Sequence, residues 1–130
     1  MAVLRWGFCG CGIIANDFKL ALDALPEEEK GKHRVVAVAA RSLERAQQFA
    51  QKHGVPTAYG SYAELCADKD VQAVYINTIN STHYEIAMIA IKNGKHLLVE
   101  KVMTLSSGHT EALYKAAEER GVFVLDVSMH

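Results

Sequence analysis

The 130-residue sequence is poor in several features that mark specialised classes of protein. It has two prolines, one tryptophan and three cysteines, and its 14 basic and 15 acidic residues leave a formal net charge of −1. Without a basic excess, no electrostatic attraction favours nucleic acid or an anionic membrane surface, so we expect neither as a partner. Three cysteines do not make a disulfide framework, and we therefore expect a reducing, cytoplasmic location.

Long apolar runs are also missing. The longest have six residues, as at residues 35–40, whereas a membrane-spanning helix needs about 20. An apolar stretch after Arg5 could be the core of a secretion signal, but glycines interrupt it and Asn16 and Asp17 follow it directly. With 50% hydrophobic and 22% charged residues, the composition is that of one globular domain, residues 1–130.

Short apolar segments alternate with segments of helical periodicity along the chain. Six segments are predicted as buried strands: residues 3–9, 34–40, 57–59, 71–78, 96–99 and 122–127. Helices with one apolar face are predicted between them, and residues 26–31 read as a solvated loop. Ser42 and the pair Ser61 and Glu64 predict helix starts. This alternation predicts a six-stranded parallel sheet covered on both faces, a doubly wound α/β (Rossmann) fold.

The turn after the first strand carries a phosphate-binding motif. Residues 10–15 read GCGIIA, which is G-x-G-x-x-A between a strand and a helix. Gly10 permits a tight turn, Gly12 lets a pyrophosphate approach the backbone, and Ala15 lets the helix pack closely. The N-terminal end of the helix then faces the phosphates. An ordinary glycine turn is the alternative. The expected cofactor contacts here are Gly10, Cys11, Gly12, Ile13 and Ile14.

The cysteines of this stretch raise the alternative of metal or redox chemistry. Cys9 and Cys11 form C-x-C, but no second ligand pair follows at zinc spacing, Cys66 is isolated and the six histidines are scattered. We therefore expect no metal site and interpret Cys11 as a small residue that lines the loop.

The end of the second strand indicates which dinucleotide is preferred. NAD sites usually carry Asp or Glu there, which accepts hydrogen bonds from the ribose 2′-hydroxyl. Here Arg41 and Ser42 follow the strand, with no carboxylate before Glu44. A guanidinium and a hydroxyl suit a 2′-phosphate, and Arg45 adds a second charge. We expect NADP(H), with NAD(H) less favoured; the alternative is that Arg41 only begins a solvated helix.

A later segment resembles the signature of a known oxidoreductase family. Residues 76–102 read INTINSTHYEIAMIAIKNGKHLLVEKV. The signature of the glucose–fructose oxidoreductase, inositol dehydrogenase and MocA family reads approximately T-P-N-x-x-H, then a helix, then G-K-H-V-x-x-E-K-P. The matching positions are Thr78, Asn80, His83, residues 94–96, Glu100 and Lys101.

The resemblance covers essentially the whole chain and implies hydride transfer between NADP(H) and a sugar-like or cyclic-diol small molecule. It implies that Thr78 and Asn80 line the cofactor near its nicotinamide end. We count His83 with these cofactor-binding residues, and because it lies in the first turn of the next predicted helix, we expect it to orient the loop rather than to carry a proton. Glu100 and Lys101 are implied at the active site, where the Lys101 ammonium could donate to a substrate oxygen and Glu100 could position it. Without the family, an exposed pair at a strand end is the simpler interpretation.

The resemblance also leaves points open. The family has a second α/β domain that supplies the substrate pocket, the proton donor and a dimer surface. The resemblance therefore implies that a full-length member is a homodimer. We do not expect this second domain within these residues. Ile79 and Val102 replace family prolines, which leaves the local backbone around Lys101 open. The alternatives are a stand-alone NADP(H)-binding module without turnover and a Rossmann protein for coenzyme A or a nucleoside diphosphate.

Overall fold

The structure is a computed structural model that describes residues 3–78, 83–100 and 107–127. The strands are β1 (Leu4–Cys9), β2 (His33–Ala39), β3 (Thr57–Tyr59), β4 (Ala73–Ile76), β5 (His96–Glu100) and β6 (Val124–Val127). The helices are α1 (Ile13–Asp23), α2 (Glu27–Lys30), α3 (Leu43–His53), α4 (Tyr62–Cys66), α5 (His83–Lys92) and α6 (Ser107–Arg120). No helix in the described ranges is long and apolar enough to cross a bilayer.

The six strands form one sheet in the order β3-β2-β1-β4-β5-β6, and every neighbouring pair is parallel. The chain therefore builds outward from β1 to β3, returns to the other side of β1 and builds outward again to β6. This confirms the doubly wound Rossmann fold. The reversal lies between β1 and β4, where such sheets open a ligand-binding crevice at the carboxyl ends of the strands.

Alternate side chains of each strand face two different helical layers. Trp6 and Phe8 of β1 pack with residues of α1 and α3, whereas Cys9 packs with residues of α4, α5 and α6. On β4, Tyr75 faces the first layer and Ile76 the second. Both faces of the central strands are covered, which explains why their sequences are continuously apolar rather than alternating.

An aromatic cluster attaches α1 to the sheet. The ring centroids of Phe18 and Tyr75 are 4.4 Å apart, and those of Phe8 and Tyr75 are 5.3 Å apart. Such pairs add about 0.5–1.5 kcal/mol each beyond the area they bury. Ala15, in the first turn of α1, is completely buried, so α1 lies close to the sheet. The packing fixes the position of the turn between β1 and α1.

The structure corrects the prediction of a loop at residues 26–31. Residues Glu27–Lys30 form the short helix α2, with Pro26 at its N-cap, three glutamates in its first turn and Lys30 in its last. This charge order complements the helix dipole. A single helical turn is too short for apolar periodicity to reveal it. Strand β4 is also shorter than predicted, four residues instead of the segment 71–78.

Candidate functional site

A cavity of about 320 Å³ lies at the carboxyl edge of the sheet, where β1, β2 and β4 end. It brings together seven of the residues expected to bind a cofactor: Gly10, Cys11, Gly12, Arg41, Ser42, Arg45 and Thr78. Three residues that the sequence did not single out also line it: Ala40, Tyr62 and Asn77. The cavity therefore joins the glycine turn to the basic end of β2 across the reversal of the sheet.

Gly10 is a position that only glycine can occupy without strain. Its φ is +112°, and a Cβ there would lie 2.2 Å from Oδ1 of Asn77. The Gly10 N–H donates to the carbonyl oxygen of Ala39 at 2.9 Å, which ties the turn to β2. The tight turn predicted from the motif is thus enforced by both backbone conformation and space.

Gly12 has a different role, because a Cβ at this position would meet no atom within 4 Å. Gly12 is the N-cap of α1, makes no side-chain cap hydrogen bond, and is followed by a first turn without an acidic residue. The first N–H groups of α1 therefore lack intrahelical partners. No acidic side chain of the first turn, and none among the described residues that line the two adjoining cavities, offsets the positive end of the helix dipole. An open cradle of this kind fits a phosphate group.

Burial favours the protonated form of the two thiols of the glycine turn, Cys9 and Cys11. Burial raises the pKa of Cys11, and the charge of Arg45 offsets only part of that effect. Burial also raises the pKa of Cys9 well above its ordinary value, while the hydrogen bond with Cys9 lowers that of Cys66. A neutral Cys11 puts no negative charge beside a phosphate. Among the described residues, no group of three or more His, Cys, Asp or Glu is arranged to hold a metal ion.

The basic rim of the cavity is formed by Arg41 and Arg45, both exposed. Within the described part of the chain, neither guanidinium forms an ion pair with a carboxylate. Ser42 is the N-cap of α3, as predicted, and its Oγ accepts a hydrogen bond from the Arg45 N–H at 3.3 Å. The Ser42 hydroxyl proton remains available to a ligand. This rim offers charge-assisted donors to an anion.

His83, the first residue of α5, contacts Thr78, which lies just after β4. His83 is buried, and its Nε2 is hydrogen-bonded to the carbonyl oxygen of Thr78. This contact joins Thr78, which lines the cavity, to the first turn of α5. The loop-orienting role of His83 stays a prediction. His83 is not among the described residues that line the cavity. Asn80, which lies between them in sequence, is outside the described residues.

Two of the expected loop contacts lie outside this cavity. Ile13 is 81% exposed and lines a second cavity of about 420 Å³ between α1 and α3, together with Arg45 and Lys52. Ile14 is 38% exposed and is not among the residues of the first cavity. Both residues belong to the first turn of α1, so their backbone N–H groups, rather than their side chains, are what they can offer a phosphate.

The two residues expected to be catalytic, Glu100 and Lys101, come at the carboxyl end of β5 in the sequence. Glu100 is the last residue of that strand and pairs with Val127 of β6. Lys101 lies outside the described residues. Because β5 is the neighbour of β4, the end of β5 lies at the same edge of the sheet as Thr78.

Two of the cavity residues that the sequence analysis did not single out, Asn77 and Tyr62, differ in how visible they are in the sequence. Asn77 is a polar residue that directly follows the apolar strand β4, and such residues at carboxyl ends of strands are candidates for ligand contact. Tyr62 comes from α4, and only the packing of α4 beside β2 brings it to Arg41. Burial raises the pKa of the Tyr62 phenol, which therefore keeps its proton at neutral pH.

Comparison with known proteins places this geometry in a family. Residues 4–127 match the model of the GFO_IDH_MocA family, described as an oxidoreductase family with an NAD-binding Rossmann fold. The trans-1,2-dihydrobenzene-1,2-diol dehydrogenase of Xenopus laevis is 43% identical over 122 residues, which are 94% of this chain and 36% of that protein. The chain thus spans about a third of the length of such relatives.

Solved structures agree with the sequence matches. An NAD-binding oxidoreductase from Klebsiella pneumoniae superposes with a TM-score of 0.88 at 30% identity, over 98% of this chain and 35% of the other. The 3-ketoreductase KijD10 from Actinomadura kijaniata, in complex with NADP and TDP-benzene, superposes with a TM-score of 0.84 at 33% identity, over 95% of this chain and 37% of the other.

Proposed function

Since this chain belongs to the oxidoreductase family with an NAD-binding Rossmann fold, we propose that it is the cofactor-binding domain of an NADP(H)-dependent dehydrogenase. The observation that carries the proposal is the 320 Å³ cavity in which the glycine turn faces Arg41, Ser42 and Arg45. In this proposal, the 130 residues form a single domain that binds one dinucleotide across the ends of β2, β1 and β4.

The pyrophosphate is assigned to the glycine turn. The space beside Gly12 is open, and the first N–H groups of α1 point into a region without a competing acid. Phosphate oxygens accept hydrogen bonds from such N–H groups and interact favourably with the positive end of the helix dipole. The neutral thiol of Cys11 lets this contact form without charge repulsion.

The preference for NADP(H) rests on the end of β2. Arg41 and Arg45 have no carboxylate partner among the described residues, so a 2′-phosphate would pair with cations that are free to receive it. A hydrogen bond to a charged group contributes about 1.5–3 kcal/mol. At the end of β2, residues 39–41 include no Asp or Glu that could accept a hydrogen bond from the ribose 2′-hydroxyl of NAD(H). The NADP bound to the KijD10 relative is consistent with this preference.

The adenine is assigned to a third cavity of about 330 Å³ beside the first. The two cavities share Arg41 and Tyr62, and the third is lined on its α5 side by Ile86 and Ile89, with Glu85 beside them. An apolar wall with a guanidinium at its edge suits a flat base, because a guanidinium can stack on an aromatic face.

The reaction proposed for the full-length protein follows from the family. The nicotinamide supplies the hydride acceptor or donor, and the substrate is a small molecule of the sugar-like or cyclic-diol class. Lys101 directly follows Glu100 at the end of β5, at the edge where the nicotinamide half would lie. There the Lys101 ammonium would hydrogen-bond the substrate oxygen that gains or loses a proton, and Glu100 would position it. We also propose that the full-length protein is a cytoplasmic homodimer.

Titration calorimetry of the 130-residue chain tests the proposal. We expect NADP+ to bind, NAD+ to bind more weakly at the same ionic strength, and coenzyme A and uridine diphosphate to give no heat. Failure of both dinucleotides to bind would contradict the proposal, as would tighter binding of coenzyme A.

The same chain should not turn over diols or sugars with NADP+. Orientation of a substrate against its reaction partner accounts for about 7–11 kcal/mol of a barrier, and the family resemblance assigns one wall of the substrate pocket to another domain. Turnover by the 130-residue chain that is lost in its Lys101→Ala variant would contradict this expectation. It would place the whole catalytic apparatus within these 130 residues.

A further inference from the structure

The carboxamide of Asn77 is buried and has no hydrogen-bond partner within residues 3–78, 83–100 and 107–127. Both its Oδ1 and its Nδ2 are covered from solvent, and neither is bonded to any group in the described parts of the chain. Buried amides in folded proteins almost always have partners, because the group loses its water on burial. The other amides buried or half-buried at element ends follow that rule: Asn16 bonds to His53 at 2.8 Å and Gln72 to the Arg5 N–H at 2.9 Å.

The position of this amide is fixed by its surroundings. The Asn77 N–H donates to the carbonyl oxygen of Cys9 at 3.0 Å, which continues the pairing of β4 with β1. The carboxamide lies against the α-carbon of Gly10, whose missing side chain leaves the space it occupies. Asn77 therefore sits between the ends of β1 and β4, at the reversal of the sheet, and lines the first cavity.

The order of the strands tells which part of a dinucleotide lies nearest to this amide. Arg41 and Ser42 follow β2, Gly12 follows β1, and Asn77 follows β4, while the sheet order is β2-β1-β4. A dinucleotide with its 2′-phosphate at Arg41 and its pyrophosphate at Gly12 extends its nicotinamide half over the end of β4.

We propose that Asn77 is a cofactor-binding residue whose carboxamide hydrogen-bonds the nicotinamide-side ribose or its phosphate. The inference rests on the proposed function, because it takes the dinucleotide as the ligand. The bond between Cβ and Cγ of asparagine is a soft torsion, so the carboxamide can rotate in place and direct its oxygen or its N–H toward the cavity without displacement of β4. Binding then supplies the partner that the amide does not have among the described residues.

The test compares Asn77→Ala and Asn77→Asp with the wild type in the 130-residue chain. Asn77→Ala removes the group, whereas Asn77→Asp keeps its shape and replaces the N–H donor by a carboxylate oxygen. Asn93→Ala is the matched control, since the Asn93 amide donates to the Ile89 carbonyl at 2.8 Å on an exposed helix end. The measurements are the dissociation constants for NADP+ and for 2′,5′-ADP, which lacks the nicotinamide half, and the Tm of the unliganded chain.

We expect the dissociation constant for NADP+ to rise about tenfold in Asn77→Ala and by more in Asn77→Asp. The dissociation constant for 2′,5′-ADP should stay unchanged in both variants. In Asn93→Ala, both dissociation constants should equal those of the wild type. The Tm of unliganded Asn77→Ala should stay the same or rise, because the variant loses a buried amide without partners. Unchanged affinity for NADP+ in both variants would overturn the inference and leave the proposed function intact. A parallel loss of Tm and of affinity for both ligands would overturn it as well, since Asn77 would then be a structural residue. Failure of the wild type to bind either ligand would instead contradict the proposed function.

Discussion

Gly10 and Asn77 are packed so closely that the carboxamide of one occupies the place of a side chain on the other. A Cβ on Gly10 would lie 2.2 Å from Oδ1 and 2.9 Å from Cγ of Asn77. The backbone of Gly10 also has a positive φ, so the turn after β1 depends on glycine for two separate reasons.

Gly10→Ala should therefore cost more stability than an ordinary substitution of a positive-φ glycine. Gly54 is the matched control, because its φ is +68° and a Cβ there meets no atom within 4 Å. We expect Gly54→Ala to lower the free energy of unfolding by about 1–2 kcal/mol and Gly10→Ala to lower it by about 1–3 kcal/mol more. Urea unfolding of both variants measures the difference. Equal losses would mean that Asn77 does not constrain Gly10.

Gly12→Val should separate binding from folding. Its φ is −84°, and the new side chain would enter open space. We expect the free energy of unfolding to change by no more than about 1 kcal/mol, the scale of an N-cap substitution, while calorimetry detects no dinucleotide binding. Normal binding by the folded variant would show that the turn is a plain connection between β1 and α1.

Arg41→Ala should weaken NADP(H) selectively. The lost charge-assisted hydrogen bonds to the 2′-phosphate correspond to about 1.5–3 kcal/mol of binding free energy. Binding of NAD(H) should weaken less, because it has no 2′-phosphate and loses only the contact of Arg41 with the adenine. Arg34→Ala is a suitable control, since Arg34 is exposed at the opposite, amino-terminal end of β2. Equal losses for the two cofactors at matched ionic strength would refute the assignment of Arg41 to the 2′-phosphate.

His53 should make the chain less stable in mild acid. Burial, followed by the charges of Lys19 and Lys52, lowers the pKa of His53 below its usual value near 6.5, and Asp23 opposes this only in part. The unfolded chain therefore binds a proton at His53 more readily than the folded chain does. The stability that depends on a neutral His53 is fully present above about pH 6.5, and it is lost as the pH falls through the pKa of His53 in the folded chain. Urea unfolding at pH 7.5 and pH 5.0 should show a smaller decrease in stability for His53→Gln than for the wild type. Identical decreases would exclude His53 as a source of the pH dependence.

The fold and the tight turn after β1 could be predicted from the sequence, whereas the cofactor contacts of that turn stay a prediction. Alternating apolar and helical segments predicted the parallel sheet, and G-x-G-x-x-A predicted the turn between β1 and α1, because both signals are local and strong. Ser42 was found as an N-cap for the same reason. The helix α2 was missed because one turn has no measurable period.

The remaining cavity residues depend on tertiary packing. Tyr62 reaches Arg41 only after α4 docks against the sheet, and nothing in its local sequence distinguishes it from a packing residue. Asn77 could have been suspected as a polar residue at the end of an apolar strand. Its lack of a partner, however, appears only when β1 and β4 are side by side.

The location of the cofactor site is tested most directly by an amide chemical-shift map of the 130-residue chain during titration with NADP+. We predict that the resonances of Gly10, Gly12, Arg41 and Thr78 shift with a common dissociation constant, while Arg5, Gln72 and His96, at the opposite edge of the sheet, keep their positions. Shifts confined to that opposite edge, or no shifts at a saturating concentration of NADP+, would contradict the assignment of the cavity at the ends of β1, β2 and β4.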